Sequence, residues 1–252
     1  MTSSLTVGLD RVRQALSSRR AVVLPNPAPL TCVVAGTAPN AVNLAKGRPA
    51  DQAVALWIHH PRTADTVFDA LDLGPEPAAV ARRLLTEERV TLLAPLREHR
   101  PLPDWLEPAA KDGWTLLFGA RWTPLLPVLE DHPVLYVSSA NRTGHAPAAT
   151  ASAARAMFPD DVPVLDPASL PGTREEPLGI PRAATTTVRL YPDGSIDLHR
   201  SGAQDRTYRG GGTYLDHLRT AYRPGGDRTS SAQDGRRTPD PHAARSAPGA
   251  ER

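Results

Sequence analysis

The chain has 252 residues, of which 40% are hydrophobic and 27 are proline, a composition that indicates one moderate domain, or one domain with a tail that adds little to the core. No run of about 18 apolar residues occurs, which excludes a membrane-spanning helix, and the N-terminal segment lacks the apolar stretch of a secretory signal. The net charge of +2 does not by itself indicate nucleic-acid binding, and the single cysteine, Cys32, excludes a disulfide framework and a cysteine-ligated zinc site. We therefore expect a cytoplasmic protein.

The first half of the chain alternates between helix-like and strand-like patterns. In chain order, apolar spacing and short apolar runs predict a helix at 9–19, a strand at 21–24, a helical turn at 40–45, a strand at 54–58, helices at 63–73 and 77–88, and a strand at 90–93. Thr63 is predicted to be the N-cap of its helix. The proline-rich span 101–108 is predicted to be a loop or a capping turn.

The second half continues this pattern and ends in a polar tail. It predicts, in order, strands at 115–120 and 134–138, a helix at 150–157, strands at 162–165, 186–191 and 195–198, and a short amphipathic helix at 214–222. Asp193-Gly194 indicates a tight hairpin turn between the last two strands. Residues 223–252 contain no large apolar side chain and are expected to form a disordered tail. The irregular alternation predicts an α/β or α+β domain with a mixed sheet.

Two cations flank a glycine in Lys46-Gly47-Arg48-Pro49. Lys46 is notable because lysine is rare among the 29 basic residues of this chain. In an extended segment residues i and i+2 project to the same side, and the intervening glycine lets a ligand approach the backbone. An arginine grips oxygens with paired hydrogen bonds, while a lysine acts as a point charge. The pattern suits a polyanion such as a triphosphate, and a solvated basic turn is the alternative.

Ser139 and Asn141 place a hydroxyl and an amide at the carboxyl end of the predicted strand 134–138. Ligands of open α/β sheets often bind at such strand ends. These groups can accept from and donate to a phosphate, a ribose or an amino-acid carboxylate. The alternative is a helix-capping turn before the helix at 150–157.

Two further patterns are not expected to carry chemistry. His59 and His60 are adjacent in a strand-like segment and point to opposite faces, so they do not readily share a metal ion, and no metal site is expected. Gly210-Gly211-Gly212 looks like a phosphate-binding loop, but it follows the last predicted strand and no Gly-Lys-Ser follows it. We predict a flexible linker there.

Four short motifs follow one another along the chain. They are Lys46-Gly47-Arg48 (K-x-R), Ser139-Ala140-Asn141 with Thr143-Gly144 (S-A-N-x-T-G), Thr186-Thr187-Val188 (similar to S-T-V) and Arg200-Ser201-Gly202-Ala203 (R-x-G-A). In this order and at this spacing they resemble the YrdC-like family, the threonylcarbamoyl-AMP synthases of tRNA modification. The resemblance covers residues 8–204, and 205–222 is expected to be a poorly defined C-terminal extension.

The resemblance implies a twisted, mixed and open β-sheet with flanking helices and a large basic cavity. It also implies a nucleotidyltransferase that condenses ATP, bicarbonate and L-threonine to threonylcarbamoyl-AMP and pyrophosphate. Magnesium would travel with ATP, no tightly bound cofactor is expected, and tRNA or tRNA-modification proteins are the implied macromolecular partners. By motif, the catalytic residues would be Lys46 and Arg48, and the substrate- or nucleotide-binding residues would be Ser139, Asn141, Thr186 and Arg200.

One loop departs from the family pattern. Where the family has P-T-D-T-x-Y-G-L after its first strand, this chain has Pro25-Asn26-Pro27-Ala28-Pro29-Leu30-Thr31-Cys32, so only the leading proline is kept. The amino-acid side of the pocket is therefore more altered than the nucleotide side. Two alternatives follow: an enzyme that makes a carbamoyl-adenylate of another amine, or a non-catalytic nucleotide- or RNA-binding module. All of these hypotheses require one cavity shared by Lys46, Arg48, Ser139, Asn141 and Arg200.

Overall fold

Strands and helices alternate through the computed structural model, which describes residues 3–170, 173 and 181–222. Within these residues the strands are β1 Val22–Leu24, β2 Val33–Gly36, β3 Ala55–Trp57, β4 Thr91–Pro95, β5 Ala110–Lys111, β6 Trp114–Phe118, β7 Tyr136–Ser139, β8 Thr187–Leu190 and β9 Ile196–Arg200. The helices are α1 Ser3–Ser17, α2 Pro39–Ala45, α3 Pro61–Ala70, α4 Pro75–Arg83, α5 Leu126–Leu129, α6 Ala151–Met157 and α7 Gly211–Ala221. The predicted tail, 223–252, lies outside the described residues.

The nine strands of the described residues form one mixed sheet in the order β1-β2-β7-β3-β6-β4-β8-β9, with β5 paired to β6. The pairs β3–β6 and β4–β8 are parallel, and the other pairs are antiparallel. Successive side chains of a strand point to opposite faces, and β3 shows this clearly. Leu56 packs into one hydrophobic core, while Ala55 and Trp57 pack into a second. The predicted fold class, an α/β domain with a mixed sheet, is confirmed.

Several element predictions need correction. The strand predicted at 162–165 is wrong, because only Val164 pairs, in a single bridge with Val23. Pro163, which has no N–H, lies in this segment and cannot donate to a ladder. Conversely, β2 and β5 were not predicted. β2 is buried along its whole length between β1 and β7, so its place depends on partners distant in sequence.

The helix predicted at 63–73 begins and ends earlier, at Pro61–Ala70. Pro61 fits the first helical turn, where a backbone N–H has no partner within the helix. The N-cap is therefore His60, and the prediction for Thr63 is wrong. The Thr63 hydroxyl instead donates to the Pro133 carbonyl at 2.7 Å, which ties α3 to the segment before β7.

Residues 205–222 pack onto the sheet. The helix predicted at 214–222 begins at Gly211, so Gly210-Gly211-Gly212, predicted to be a linker, opens α7 instead. Gly210 has a φ of 117°, a conformation that L-residues rarely adopt. The side chains of Tyr214, Leu218 and Tyr222 are buried against the core. No helix within 3–170 or 181–222 has both the length and the apolar character needed to cross a membrane.

Candidate functional site

Lys46 joins the K-x-R segment to the S-x-N segment. It closes α2, where its backbone N–H donates to the Asn43 carbonyl at 3.1 Å, and Gly47, with a φ of 65°, turns the chain away. The Lys46 side chain is only 4% exposed. Its ammonium donates to the Ser139 carbonyl, and at 2.8 Å to both the carbonyl and the side-chain Oδ1 of Asn141. Two motifs that lie far apart in sequence are thus held in direct contact.

The Asn141 amide is used within its own loop. Its Oδ1 accepts from the Ser139 hydroxyl at 2.6 Å as well as from Lys46. Its Nδ2 donates to the carbonyls of His145 at 2.9 Å and Arg142 at 3.2 Å. Because both ends of the amide already have partners, Asn141 shapes the segment after β7 and does not point into open space.

The charge of Lys46 is held in an unfavourable environment. Burial, together with the positive charges of Arg48 and Arg200, lowers the Lys46 pKa from 10.5 to about 7. All three protons of the ammonium face neutral oxygens of Ser139 and Asn141. An anion close to these three cations would relieve their mutual repulsion.

A cavity of about 160 Å³ lies beside this cluster. Arg48 and Arg200 are its charged walls, and no carboxylate occurs among its described lining residues. Polar groups line it beside the arginines: Asn26, Thr31, Thr91, Ser138, Ser139 and Thr185. The remaining walls are apolar. The cavity is therefore basic and partly apolar, which suits an anionic group attached to a less polar body.

Asn43 orients the guanidinium group of Arg48, and one N–H donor of that group has no hydrogen-bond partner among the described residues. Its Nε donates to Asn43 Oδ1 at 2.5 Å, and Asn43 Nδ2 is itself held by the carbonyls of Ala50 at 2.8 Å and Gln52 at 2.7 Å. Arg48 Nη2 is buried and has no hydrogen-bond partner among the described residues. A buried donor left without an acceptor is costly unless a ligand or water supplies one.

Arg200 approaches the same cavity from the end of β9. The chain after it runs close to the start of β8, because a Cβ at Gly202 would lie 2.5 Å from the Ala184 carbonyl oxygen. The Gly202 N–H donates to Asp205 Oδ1 at 2.6 Å, which fixes this turn. The R-x-G-A motif thus places a cation at the cavity by means of a close backbone approach that requires glycine.

The predicted site residues are brought together, with one exception. Arg48, Ser139 and Arg200 line the cavity, while Lys46 and Asn141 form the hydrogen-bonded support behind Ser139. Three of the five residues therefore share the cavity. Lys46 and Asn141 adjoin it through Ser139 and are not among its described lining residues, so the structure does not show one cavity lined by all five.

Thr186 is the exception. It is 0% exposed, and its hydroxyl donates to Asp205 Oδ1 at 2.6 Å and accepts from the Gln204 N–H at 3.1 Å. Its neighbour Thr185 lines the cavity in its place. Successive side chains of an extended segment point to opposite sides. Thr185 therefore faces the cavity, while Thr186 faces Asp205.

Sequence reasoning missed the polar residues that complete the cavity. Thr91 of β4 and Thr185 share a hydroxyl–hydroxyl hydrogen bond of 2.5 Å. Asn26 lies in the loop that departs from the family pattern, and its Nδ2 donates to the Thr31 carbonyl at 3.0 Å. The available signal was an asparagine between two prolines directly after an apolar strand.

The remaining candidate groups contact protein atoms. The His59 ring lies 3.0 Å from the carbonyls of Trp57 and Leu129, and burial lowers its pKa. Burial raises the pKa of the Cys32 thiol to about 11, so it is protonated at neutral pH. No group of three or more His, Cys, Asp or Glu that could hold a metal ion occurs in the part of the chain that the structure describes.

Comparison with known proteins shows the fold of this chain. No family model and no curated protein matches the sequence. Among solved structures, Sua5 of P. abyssi complexed with L-threonine matches with a TM-score of 0.52 and 17% identity over 80% of this chain and 55% of that chain. E. coli YciO matches with a TM-score of 0.54 and 10% identity over 77% of this chain and 88% of that chain.

Full-length HypF in a phosphate- and nucleotide-bound form matches with a TM-score of 0.53 and 12% identity over 79% of this chain and 29% of that chain. This chain therefore spans about half the length of the Sua5 chain and less than a third of the HypF chain. It has the α/β fold with a mixed sheet that Sua5, YciO and part of HypF share. That fold agrees with the architecture implied by the YrdC-like motifs.

Proposed function

We propose that this chain is an adenylate-forming enzyme that binds ATP at the basic cavity and condenses it with bicarbonate and an amine to a carbamoyl-adenylate and pyrophosphate. The reaction implied by the YrdC-like motifs uses L-threonine as the amine, and the matching Sua5 structure is a complex with L-threonine. The observation that supports the proposal most directly is that Arg48 Nη2 has no hydrogen-bond partner in the part of the chain that the structure describes. Arg48 and Arg200 line the same cavity, and no Asp or Glu occurs among its described lining residues.

The chemistry requires charge stabilisation more than acid–base catalysis. The amine and bicarbonate first form a carbamate and water. A carbamate oxygen then forms a bond to the α-phosphorus of ATP, and the bond from that phosphorus to the pyrophosphate oxygen breaks with its electron pair. Negative charge therefore grows on pyrophosphate, and fixed cations in a partly closed cavity stabilise it.

The residues divide into those that contact substrate and those that position them. Arg48 and Arg200 would bind the phosphate oxygens, and the hydroxyls along the cavity wall would add neutral hydrogen bonds. Lys46 lies outside the cavity lining, next to Ser139. There it would add positive charge to the site, and its hydrogen bond holds the segment that contains Ser139. Magnesium would enter as part of the MgATP substrate, where it neutralises phosphate charge.

A second candidate function is a nucleotide- or RNA-binding module without catalysis, with tRNA or a tRNA-modification protein as its partner. The loop after β1 supports it, because Pro25-Asn26-Pro27-Ala28 replaces the polar start of the family's P-T-D-T-x-Y-G-L motif, and the cavity size limits both functions. At about 160 Å³ the cavity is smaller than the ligand pockets of about 300–1,000 Å³ found in most proteins. A nucleotide would therefore need the cavity to widen, or would place only its phosphates inside.

Pyrophosphate release from ATP, bicarbonate and L-threonine tests the proposal. Arg200→Ala should lower kcat/KM by about tenfold or more, because it removes a charged contact to the phosphates. Arg62→Ala is the matched control, since Arg62 is exposed on α3 and its loss changes the net charge equally. We expect this control to retain wild-type activity.

The assay also separates the alternatives. Pyrophosphate release with another amine but not with threonine supports the divergent enzyme. Saturable ATP binding without pyrophosphate release, whatever the amine, supports the binding module and overturns the proposed reaction. Equal activity in the Arg200→Ala variant and the wild type would remove Arg200 from the site.

A further inference from the structure

A second cavity of about 380 Å³ lies next to the basic cavity, and Asn26 belongs to the walls of both. The second cavity is lined mainly by apolar groups, which include Pro25, Trp122, Ala149 and Pro167. Arg182 is the charged residue among its described lining residues, and its Nη1 donates to the carbonyls of Asn26 at 2.9 Å and Leu30 at 2.7 Å. The altered loop thus separates a basic compartment from a larger apolar one.

Asn26 presents an acceptor that lacks a donor. The residue is 3% exposed, and its Oδ1 has no hydrogen-bond partner among the described residues. The orientation of the amide is fixed by its other end, because Nδ2 donates to the Thr31 carbonyl at 3.0 Å and an oxygen placed there would face an oxygen. The unsatisfied atom is therefore an acceptor, which a ligand or water can satisfy with an N–H or O–H.

The basic cavity has the opposite requirement. Arg48 Nη2 is a buried donor without a described partner, so this cavity needs an anionic acceptor. A single ligand that satisfies both residues must have an anionic oxygen and an N–H or O–H donor, since both residues line the basic cavity. A carbamate, R–NH–COO⁻, has this combination, because its nitrogen keeps one hydrogen after the amine has joined bicarbonate and water has left.

We propose that Asn26 accepts the N–H of the amine substrate and that the second cavity holds its side chain, so that the preferred amines have an apolar side chain larger than that of threonine. This inference rests on the proposed function. It places the carbamate oxygens toward Arg48 and Arg200 and the substituent R among Pro25, Trp122 and Ala149. Covering an apolar side chain in such a cavity removes it from water and favours binding.

Pyrophosphate release measured with glycine, L-threonine, L-leucine and L-phenylalanine tests this specificity. We expect kcat/KM for leucine or phenylalanine to exceed that for threonine by about tenfold or more. Asn26→Ala should raise the KM for the amine by about tenfold while it leaves the KM for ATP unchanged. A general structural defect would change both constants.

Filling the second cavity provides an independent variant. Ala149 is partly exposed, so Ala149→Leu adds volume to the cavity without replacing a core residue. It should remove the preference for large amines and retain activity with glycine. Ala156→Leu is the matched control, because Ala156 is exposed on α6, the helix that follows Ala149, and lines a different cavity. We expect it to keep the wild-type preference.

Fluorescence of Trp122 separates failure of this inference from failure of the proposed reaction. L-Phenylalanine should produce a saturable change that is lost in Trp122→Phe and in Ala149→Leu. If this change occurs without pyrophosphate release, the amine site stands and the proposed reaction fails. If pyrophosphate is released but threonine is the best amine and Ala149→Leu has no effect, the apolar amine site is overturned. If neither the fluorescence change nor pyrophosphate release is observed, the apolar amine site is overturned as well.

Discussion

Lys46 is the residue whose protonation depends most directly on whether an anion is bound nearby. Its ammonium has three neutral oxygen acceptors, but burial and two nearby arginines lower its pKa to about 7. The neutral amine has one proton fewer and can satisfy only two of these acceptors. An anion between Arg48 and Arg200 would favour the charged form, so binding of an anion and protonation of Lys46 reinforce each other.

We therefore predict that anion binding weakens as pH rises through about 7. Lys46 is charged below this pH and loses its charge above it, so the affinity for sulfate should be highest on the acidic side. Sulfate is a suitable probe because it stays a dianion in this range. Isothermal titration between about pH 6 and pH 9 should also show proton uptake on binding, as heats that depend on the buffer.

Lys46→Arg tests the assignment of this pH dependence. An arginine stays charged over the whole range, so the variant should lose most of the pH dependence while every other titratable group, including His145 in the adjacent loop, is kept. A wild-type affinity that does not change between pH 6 and pH 9, or an unchanged profile in the variant, would contradict the role given to Lys46.

The turn after β9 determines where Arg200 lies. Asp205 Oδ1 accepts from the Gly202 N–H and from the Thr186 hydroxyl, each at 2.6 Å, so the turn is fastened to the start of β8. Burial raises the pKa of Asp205, but the hydrogen bonds to its carboxylate together outweigh burial, so the net shift of this pKa is downward. Thr186 thus acts on the site by holding this turn, and the cavity wall is left to Thr185.

Gly202→Ala should destabilise the protein and weaken sulfate binding. The added Cβ would lie 2.5 Å from the Ala184 carbonyl oxygen and close to the Thr186 nitrogen, so the two segments must separate. Such overpacking costs about 1–3 kcal/mol of unfolding free energy, and it moves Arg200 away from its position. Urea unfolding and sulfate titration measure the two effects.

Gly212→Ala is the control for this substitution. A Cβ at Gly212 meets no atom within 4 Å, and the residue lies in the first turn of α7. Because alanine favours helix by about 1 kcal/mol over glycine, this variant should be neutral or more stable, with unchanged sulfate affinity. Equal effects of both variants would show that the close approach at Gly202 does not position Arg200.

The sequence predicted helices and strands more accurately where a short stretch of residues contains the whole pattern that defines them. Seven of the nine strands of the described residues fall at or within two residues of predicted positions, because apolar runs flanked by turns identify them. β2 was missed because a short run, Val33–Gly36, becomes a strand through pairing with β1 and β7. The motifs identified segments that lie next to one another in the fold, but Thr185 and not Thr186 lines the cavity. Side chains alternate along an extended segment, so an error of one residue in a motif assigns the wrong face.

At the scale of the whole molecule, α7 completes the core. The hydroxyls of Tyr214 and Tyr222 donate to the Glu88 carboxylate at 3.2 and 2.8 Å. Glu88 ends the π-helical turn Leu84–Glu88 that follows α4. On its other side α7 contacts β9, where Arg219 Nη2 donates to the Ile196 carbonyl at 3.0 Å. The segment 205–222 therefore connects the edge of the sheet to the helical layer.

If α7 is part of one cooperative unit, a cavity within it must destabilise the entire domain. Leu218 is 0% exposed, so Leu218→Ala should lower the unfolding free energy by about 2–5 kcal/mol. Leu44→Ala makes the same chemical change at a side chain that is 79% exposed, and should alter stability by no more than about 0.5 kcal/mol.

Urea unfolding followed by tryptophan fluorescence and by circular dichroism should show one coincident transition in each variant, at a lower midpoint for Leu218→Ala. The four tryptophans all precede α7 in sequence, so their fluorescence reports on the rest of the domain. If α7 unfolded on its own, Leu218→Ala would shift the circular dichroism transition and leave the fluorescence transition unchanged. The edge of the sheet next to Arg200 would then be stable without the helix that covers it.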